Sequence, residues 1–128
     1  MTALSQLPLF DQLAACRGWI EDALEYAGGA HTFDDIARGV LDGRFRLWIK
    51  PTGCAVTEIQ TFPRKKVCNI FLAGGDMQTI KDLQAPCEEY ARMMSCSGLV
   101  LTGRKGWVRA LASEGWAESH TTLKRELY

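Results

Sequence analysis

Gly103-Arg104-Lys105-Gly106-Trp107-Val108-Arg109-Ala110-Leu111-Ala112-Ser113-Glu114-Gly115-Trp116 reads as a short amphipathic helix held between two extended segments. The strand-like Leu99-Val100-Leu101-Thr102 precedes it, and Gly115 stands where a left-handed helix cap is wanted. Trp116 then begins a final run that the pattern predicts as a closing strand.

Upstream of this stretch, Met77, Ile80, Leu83, Cys87, Ala91 and Met94 recur at helical spacing. Pro86 falls inside that pattern and is expected to kink the helix or split it in two, because proline removes a backbone donor. Residues 44–50, 54–61 and 66–72 read as three strands joined by Pro51-Thr52-Gly53 and Phe62-Pro63-Arg64-Lys65, connections short enough for an antiparallel meander. Residues 66–102 then run strand, helix, strand, which predicts a crossover with parallel strands. Two helices open the chain. The first carries Leu9, Leu13, Cys16, Ile20, Leu24 and Ala27, with Ser5 as its expected cap, Pro8 in its first turn and Gly28-Gly29 as its stop. The second carries Phe33, Ile36, Ala37, Val40 and Leu41 behind a capping box of Thr32 and Asp35, and Gly43 ends it.

The chain has 128 residues and 47% hydrophobic content, which suits one compact domain with a packed core. Fifteen basic and fifteen acidic residues cancel, so nothing in the total marks a nucleic-acid binder, and nucleic acid is not an expected partner. The signs are unevenly spread. Asp11, Glu21, Asp22, Glu25, Asp34, Asp35 and Asp42 outnumber Arg17 and Arg38 in residues 1–43. Arg44, Arg46, Lys50, Arg64, Lys65 and Lys66 outnumber Glu58 in residues 44–66. Such a split is either two solvated faces or a docking surface. Five cysteines without a CxxC pair read as reduced core residues. No stretch resembles a secretion signal or a membrane span, so a soluble protein without membrane contact is expected.

The element order ααβββαβαβ resembles the GNAT fold of acyl-CoA-dependent N-acetyltransferases, lacking the usual first strand and keeping a single closing one. The local match is residues 103–116, where the family shows an apolar helix, a tyrosine and a closing Gly-aromatic pair, here Gly115-Trp116. Gly103-Arg104-Lys105-Gly106-Trp107 is also similar to small GNAT-like proteins encoded in phage and prophage genomes. The resemblance implies an α/β (α+β) fold over residues 1–128, with a mixed central sheet of about five strands and helices on both faces. Two departures accompany it. The family's pyrophosphate loop, R/Q-x-x-G-x-G/A before the third helix, is reduced here to Ala73-Gly74-Gly75-Asp76. Gly74 and Gly75 are the candidate cofactor-binding residues, and Asp76 reads better as a helix cap than as part of an anion site. The family's tyrosine, which protonates the departing thiolate, falls on Leu111, which cannot donate.

Glu58 is the candidate general base if the chain transfers acyl groups, against a plainer reading as a solvent-facing strand residue. His31 and His120 stand isolated and suggest neither a metal nor a catalytic dyad. Arg44, Arg46, Trp48, Lys50, Arg64, Lys65, Arg104 and Lys105 are the candidate interface residues, Trp48 because a tryptophan among exposed cations suits an interface. With the tyrosine and the phosphate loop missing, the preferred expectation is a GNAT-like scaffold without catalysis. It would act through protein contacts as a phage structural or adaptor component in an oligomer or virion, located in the virion or the host cytoplasm. No metal or cofactor is expected on that reading. The alternatives are an active acyl-CoA N-acetyltransferase using acetyl-CoA, and a regulator that binds nucleic acid through residues 44–66.

Overall fold

A computed structural model describes residues 4–103 and 106–128. Strands β1 (Phe45–Lys50), β2 (Gly53–Thr61), β3 (Lys66–Gly75) and β4 (Gly98–Leu101) form one sheet in the order β1-β2-β3-β4. The first three are an antiparallel meander and β4 lies parallel to β3, as the short turns and the crossover pattern predict. Helices α1 (Leu9–Glu25) and α2 (Phe33–Leu41) cover one face, while α3 (Met77–Met93) covers the other and α4 (Gly106–Leu111) follows β4.

Strand alternation builds a core on each face. Phe45, Leu47, Ile49, Cys54, Val56 and Leu72 point at α1 and α2, where Leu13, Cys16, Ile20, Ile36 and Val40 meet them. On the opposite face Ala55 and Ile70 pack against Leu83 and Cys87 of α3, flanked by Trp48, Leu99, Leu101 and Trp116. All five cysteines are free, and four are buried. Burial pushes the Cys87 thiol up to about 12, and a hydrogen bond with Cys16, added to burial, raises that of Cys54. These thiols therefore stay protonated and act as small apolar groups.

Four expectations need correction. The closing strand is not formed: residues 116–128 hold no regular element, and the sheet among the described residues has four strands. Beyond Trp116 every side chain is exposed, Leu123 to 91%, because the mixed charges of this run give no apolar alternation to bury. Pro86 does not split α3, which runs unbroken past it. The carbonyl that loses its donor belongs to exposed Asp82, where water can serve it, while buried Ile80, Leu83, Cys87 and Ala91 hold the inner face. Ser5 does not cap α1 but lies in a separate 3-10 turn, Leu4–Gln6, and Pro8 takes the cap position without a side-chain bond. Buried Gln12 ties the two together, donating to the carbonyls of Ser5 (3.2 Å) and Leu7 (2.7 Å). Trp48 is not a free surface tryptophan: it is half-buried against the second core, its indole N–H donates to Thr57 Oγ1 at 3.0 Å, and the Tyr90 ring packs edge-on with its centroid 5.5 Å away.

Local signals fare better. The Thr32 and Asp35 capping box is present in both directions, and Gly115 adopts φ 87° as a left-handed cap. Asp76 caps α3, accepting from the Thr79 N–H at 2.7 Å. In α2, Gly39 is a packing residue, since a Cβ there would enter the buried Phe45 ring.

Two outcomes follow from these contacts. Gly39→Ala, which in an exposed helix would stabilise by about 1 kcal/mol, is expected to destabilise by about 1–3 kcal/mol through overpacking against Phe45. A lower urea midpoint at unchanged m checks it. Backbone and side-chain hydrogen bonds hold the carboxyls of Asp35, Asp42 and Asp76 below the usual range. Their contribution is complete above the unfolded pKa of about 4 and is lost as pH falls through the depressed folded values. A double Asp35→Asn, Asp76→Asn variant should therefore show a shallower acid limb in stability against pH than the parent protein.

Candidate active site

The site begins with a mismatch in length along β3. That strand pairs with β2 through its whole span, from Lys66 opposite Thr61 to Gly75 opposite Gly53. With β4 it pairs only from Val67 opposite Gly98 to Ile70 opposite Leu101. One further bond, Thr102 N–H to the Ile70 carbonyl at 3.1 Å, closes the ladder. Beyond it the β4-facing backbone of residues 71–75 meets no strand among the described residues. The two parallel strands thus part into a fork about 13 Å long that leads toward the start of α3.

A bulge marks where the fork opens. Register shifts between Val56 and Thr57, which face Leu72 and Ile70, so Phe71 is the extra residue in β3. Its ring turns to the α1/α2 face, 4.9 Å from Phe45 and 6.0 Å from His31 in the α1–α2 loop. Just below the bulge, Phe45, Glu58, Asn69 and Val100 form one row across all four strands, with side chains on that same face. Asn69 is 8% exposed, and its Oδ1 accepts from the Thr102 hydroxyl at 3.0 Å. Glu58 is half-buried, and among the described residues its carboxylate accepts one long hydrogen bond, from Gln60 Nε2 at 3.4 Å, weak enough to leave it open to a ligand. The row therefore sets a carboxylate and a carboxamide side by side at the mouth of the fork.

The opposite side of the fork is filled. Leu111, at the position of the family's tyrosine, is 2% exposed and, with Ile70, Ala73, Leu101 and Trp116, lines a void of only about 10 Å³. Trp116 is fixed there by its N–H bond to Gln84 Oε1 at 2.6 Å. The wider clefts lie elsewhere: about 420 Å³ beside α1 and the α1–α2 loop, and about 340 Å³ between α3, Gly98 and Trp116.

Gly74 and Gly75 are not loop residues presenting free amides. Both belong to β3, opposite Cys54 and Gly53. A Cβ on Gly74 would lie 2.8 Å from Trp19 Cβ, and Gly75, at φ 105°, is pressed on the Thr52 carbonyl. The junction fits tight sheet packing; it does not fit a pyrophosphate cradle. The fork, with its unpaired strand edge, does fit an extended amide-bearing arm such as that of an acyl thioester.

The candidate interface residues are dispersed. Arg44 pairs with Asp42 at 2.8 Å near the end of the sheet where exposed Arg64 and Lys65 form the β2–β3 turn. Lys50 is at the other end of β1, about 17 Å away. Arg46 lies over the rings of Trp48 and Tyr90, at 4.8 and 4.7 Å. Arg104 and Lys105 lie outside the described residues. Among the described residues no group of His, Cys, Asp and Glu is placed to hold a metal, and no helix is long and apolar enough to cross a membrane. Asn69 and Thr102 went unnoticed in the sequence, where one is a polar residue in a strand and the other a strand's last residue; only cross-strand register brings them together.

No protein-family model and no curated protein matches the sequence. Solved structures do match its fold. The aminoglycoside N-acetyltransferase AAC(6')-Iy in complex with CoA superposes with a TM-score of 0.69 at 13% identity, covering 93% of this chain and 91% of that one. A ribosomal-protein-alanine N-acetyltransferase from Brucella melitensis biovar Abortus 2308 gives 0.63 at 14% identity over 95% of each chain. A Trypanosoma brucei acetyltransferase gives 0.55 at 16% identity, covering 86% of this chain and 94% of that one. The expectation of a phage structural component without catalysis is corrected by these findings: the three solved structures named, which share the architecture, are acetyltransferases. The chain has the GNAT fold, in a form with four strands and no closing one.

Proposed function

We propose that the protein is an N-acyltransferase that moves an acyl group from a thioester of the acyl-CoA class to an amine. The observation that carries this reading is the fork between β3 and β4, with Glu58 and Asn69 adjacent on one face at its mouth. Acetyltransferases of the same fold, one in complex with CoA, support it.

The donor supplies an electrophilic thioester carbonyl: a carbon–nitrogen bond forms, the carbon–sulfur bond breaks, and the sulfur leaves as a thiol or thiolate. The chain's own residues supply position and proton handling. The unpaired edge of β3 binds the extended arm by backbone hydrogen bonds, as an added strand would. Glu58 accepts a proton from the attacking amine, whose nitrogen must be neutral to react. Asn69, its oxygen occupied by Thr102, turns its amide donors to the ligand side and orients the reacting groups. Phe71, Phe45 and His31 wall the amine's approach on the α1/α2 face.

Acetyl-CoA turnover against a panel of primary amines tests the reading. The parent protein is expected to form amide and release thiol together. Glu58→Gln, nearly isosteric, should lower kcat/KM by about 10²–10⁴-fold with an unchanged Tm. Equal turnover in the parent and the variant would remove Glu58 from the mechanism, and no amide formation with any amine would remove the activity.

A further inference from the structure

Resting on the acyl-transfer reading, we propose that this site grips its donor by the thioester arm alone and makes no use of a nucleotide diphosphate at the arm's far end. Its natural donor class then includes pantetheine-type thioesters without a nucleotide. The inference comes from what stands where the fork ends.

An arm laid along residues 71–75 with its thioester at Phe71 ends at Asp76 and the first turn of α3. A helix start can hold phosphate when its amides are free and its charge environment is positive. Among the described residues both conditions are compromised: the cap takes the Thr79 amide of the first turn, and an acid stands at the helix start. Asp76 Oδ1 takes the Thr79 N–H at 2.7 Å, the Asp76 carbonyl takes the Ile80 N–H at 3.2 Å, and the Asp76 N–H is spent on the Thr52 carbonyl at 3.1 Å. The Thr79 hydroxyl is bonded to that of Thr52. Gly75 is pressed on Thr52 and Gly74 on Trp19, so the sheet faces at these two glycines offer no hollow for a bulky anion. Asp76 itself is exposed, and its cap bonds keep it ionised at neutral pH. A pyrophosphate arriving here would meet a carboxylate. Among the described residues, Lys50, opposite Gly53 and two strands from Gly75, is about 10 Å away and so about one Debye length at 0.1 M salt, and Lys81 in α3 is paired with Glu114 at 3.8 Å. Among the described residues, sheet packing and the cap thus occupy the Asp76 and Thr79 amides and set a carboxylate where the nucleotide half would lie.

The experiment compares two donors with the same arm, acetyl-CoA and S-acetylpantetheine, on the full chain with one amine acceptor. Their kcat/KM values are expected to agree within about threefold. Asp76→Ser keeps a capping oxygen and removes the charge. It should raise kcat/KM for acetyl-CoA by about two- to tenfold at low salt, an advantage that 1 M salt abolishes, and leave S-acetylpantetheine unchanged. A preference for acetyl-CoA of about 100-fold or more, or an Asp76→Ser variant that treats both donors as the parent does, overturns the inference while leaving acyl transfer intact. If neither donor yields amide, the acyl-transfer reading itself falls, and this inference with it.

Discussion

β3 carries two incompatible pairings, and the rest of the molecule is arranged around that fact. Nine of its ten residues pair with β2 and four with β4, so among the described residues half of one edge has no neighbouring strand. A parallel partner as short as Gly98–Leu101 cannot follow β3 to its end, and the Thr102 bonds to Ile70 and Asn69 fix where the two separate. The bulge at Phe71 acts at the same level. One extra residue sends the aromatic ring into the α1/α2 core and resets the register above it. With that register Gly74 lies beneath Trp19 and Gly75 beside Thr52, positions where glycine alone fits without displacing backbone. The fork, the row at its mouth and the closed junction at its end thus share one origin.

What the sequence made legible was local. The capping box at Thr32 and Asp35, the Asp76 cap and the left-handed Gly115 depend on a few adjacent residues, and each is present. The meander follows from turn length, and the parallel β4 from the helix that intervenes. The misses were decided by distant contacts. Trp48 alternates with cations in β1, but Tyr90 and Thr57 come from elsewhere in the chain to bury it. Pro86 breaks the helix rule and is tolerated because Asp82 faces water while Leu83 and Cys87 face the sheet. The last thirteen residues show the reverse case: fold resemblance predicts a strand there, and the residues supply no apolar face to hold one. The site followed the same division, since Glu58 stood out as the lone acid among basic residues while its neighbour Asn69 was set by register.

Leu111 looks at first like the decisive obstacle to acyl transfer, and the physical chemistry of the leaving group reduces its weight. A general acid matters most when the departing group is a strong base, because the transition state must then receive a proton as the bond breaks. A thiol ionises near pH 8.5, so a thiolate departs with far less assistance than an alkoxide or an amide would require. On the acyl-transfer proposal the donor's sulfur would lie in the fork beside exposed Thr102, where water could supply the proton afterwards. Leu111 has a structural task, filling the space between Ile70, Leu101 and Trp116 that a tyrosine hydroxyl would make polar. The absence of a proton donor at this position and the tight packing beside α4 thus both come from Leu111. On that proposal the demand that remains on the chain would be to neutralise the attacking amine, and it would fall on the Glu58 row rather than on the helix that first identified the fold.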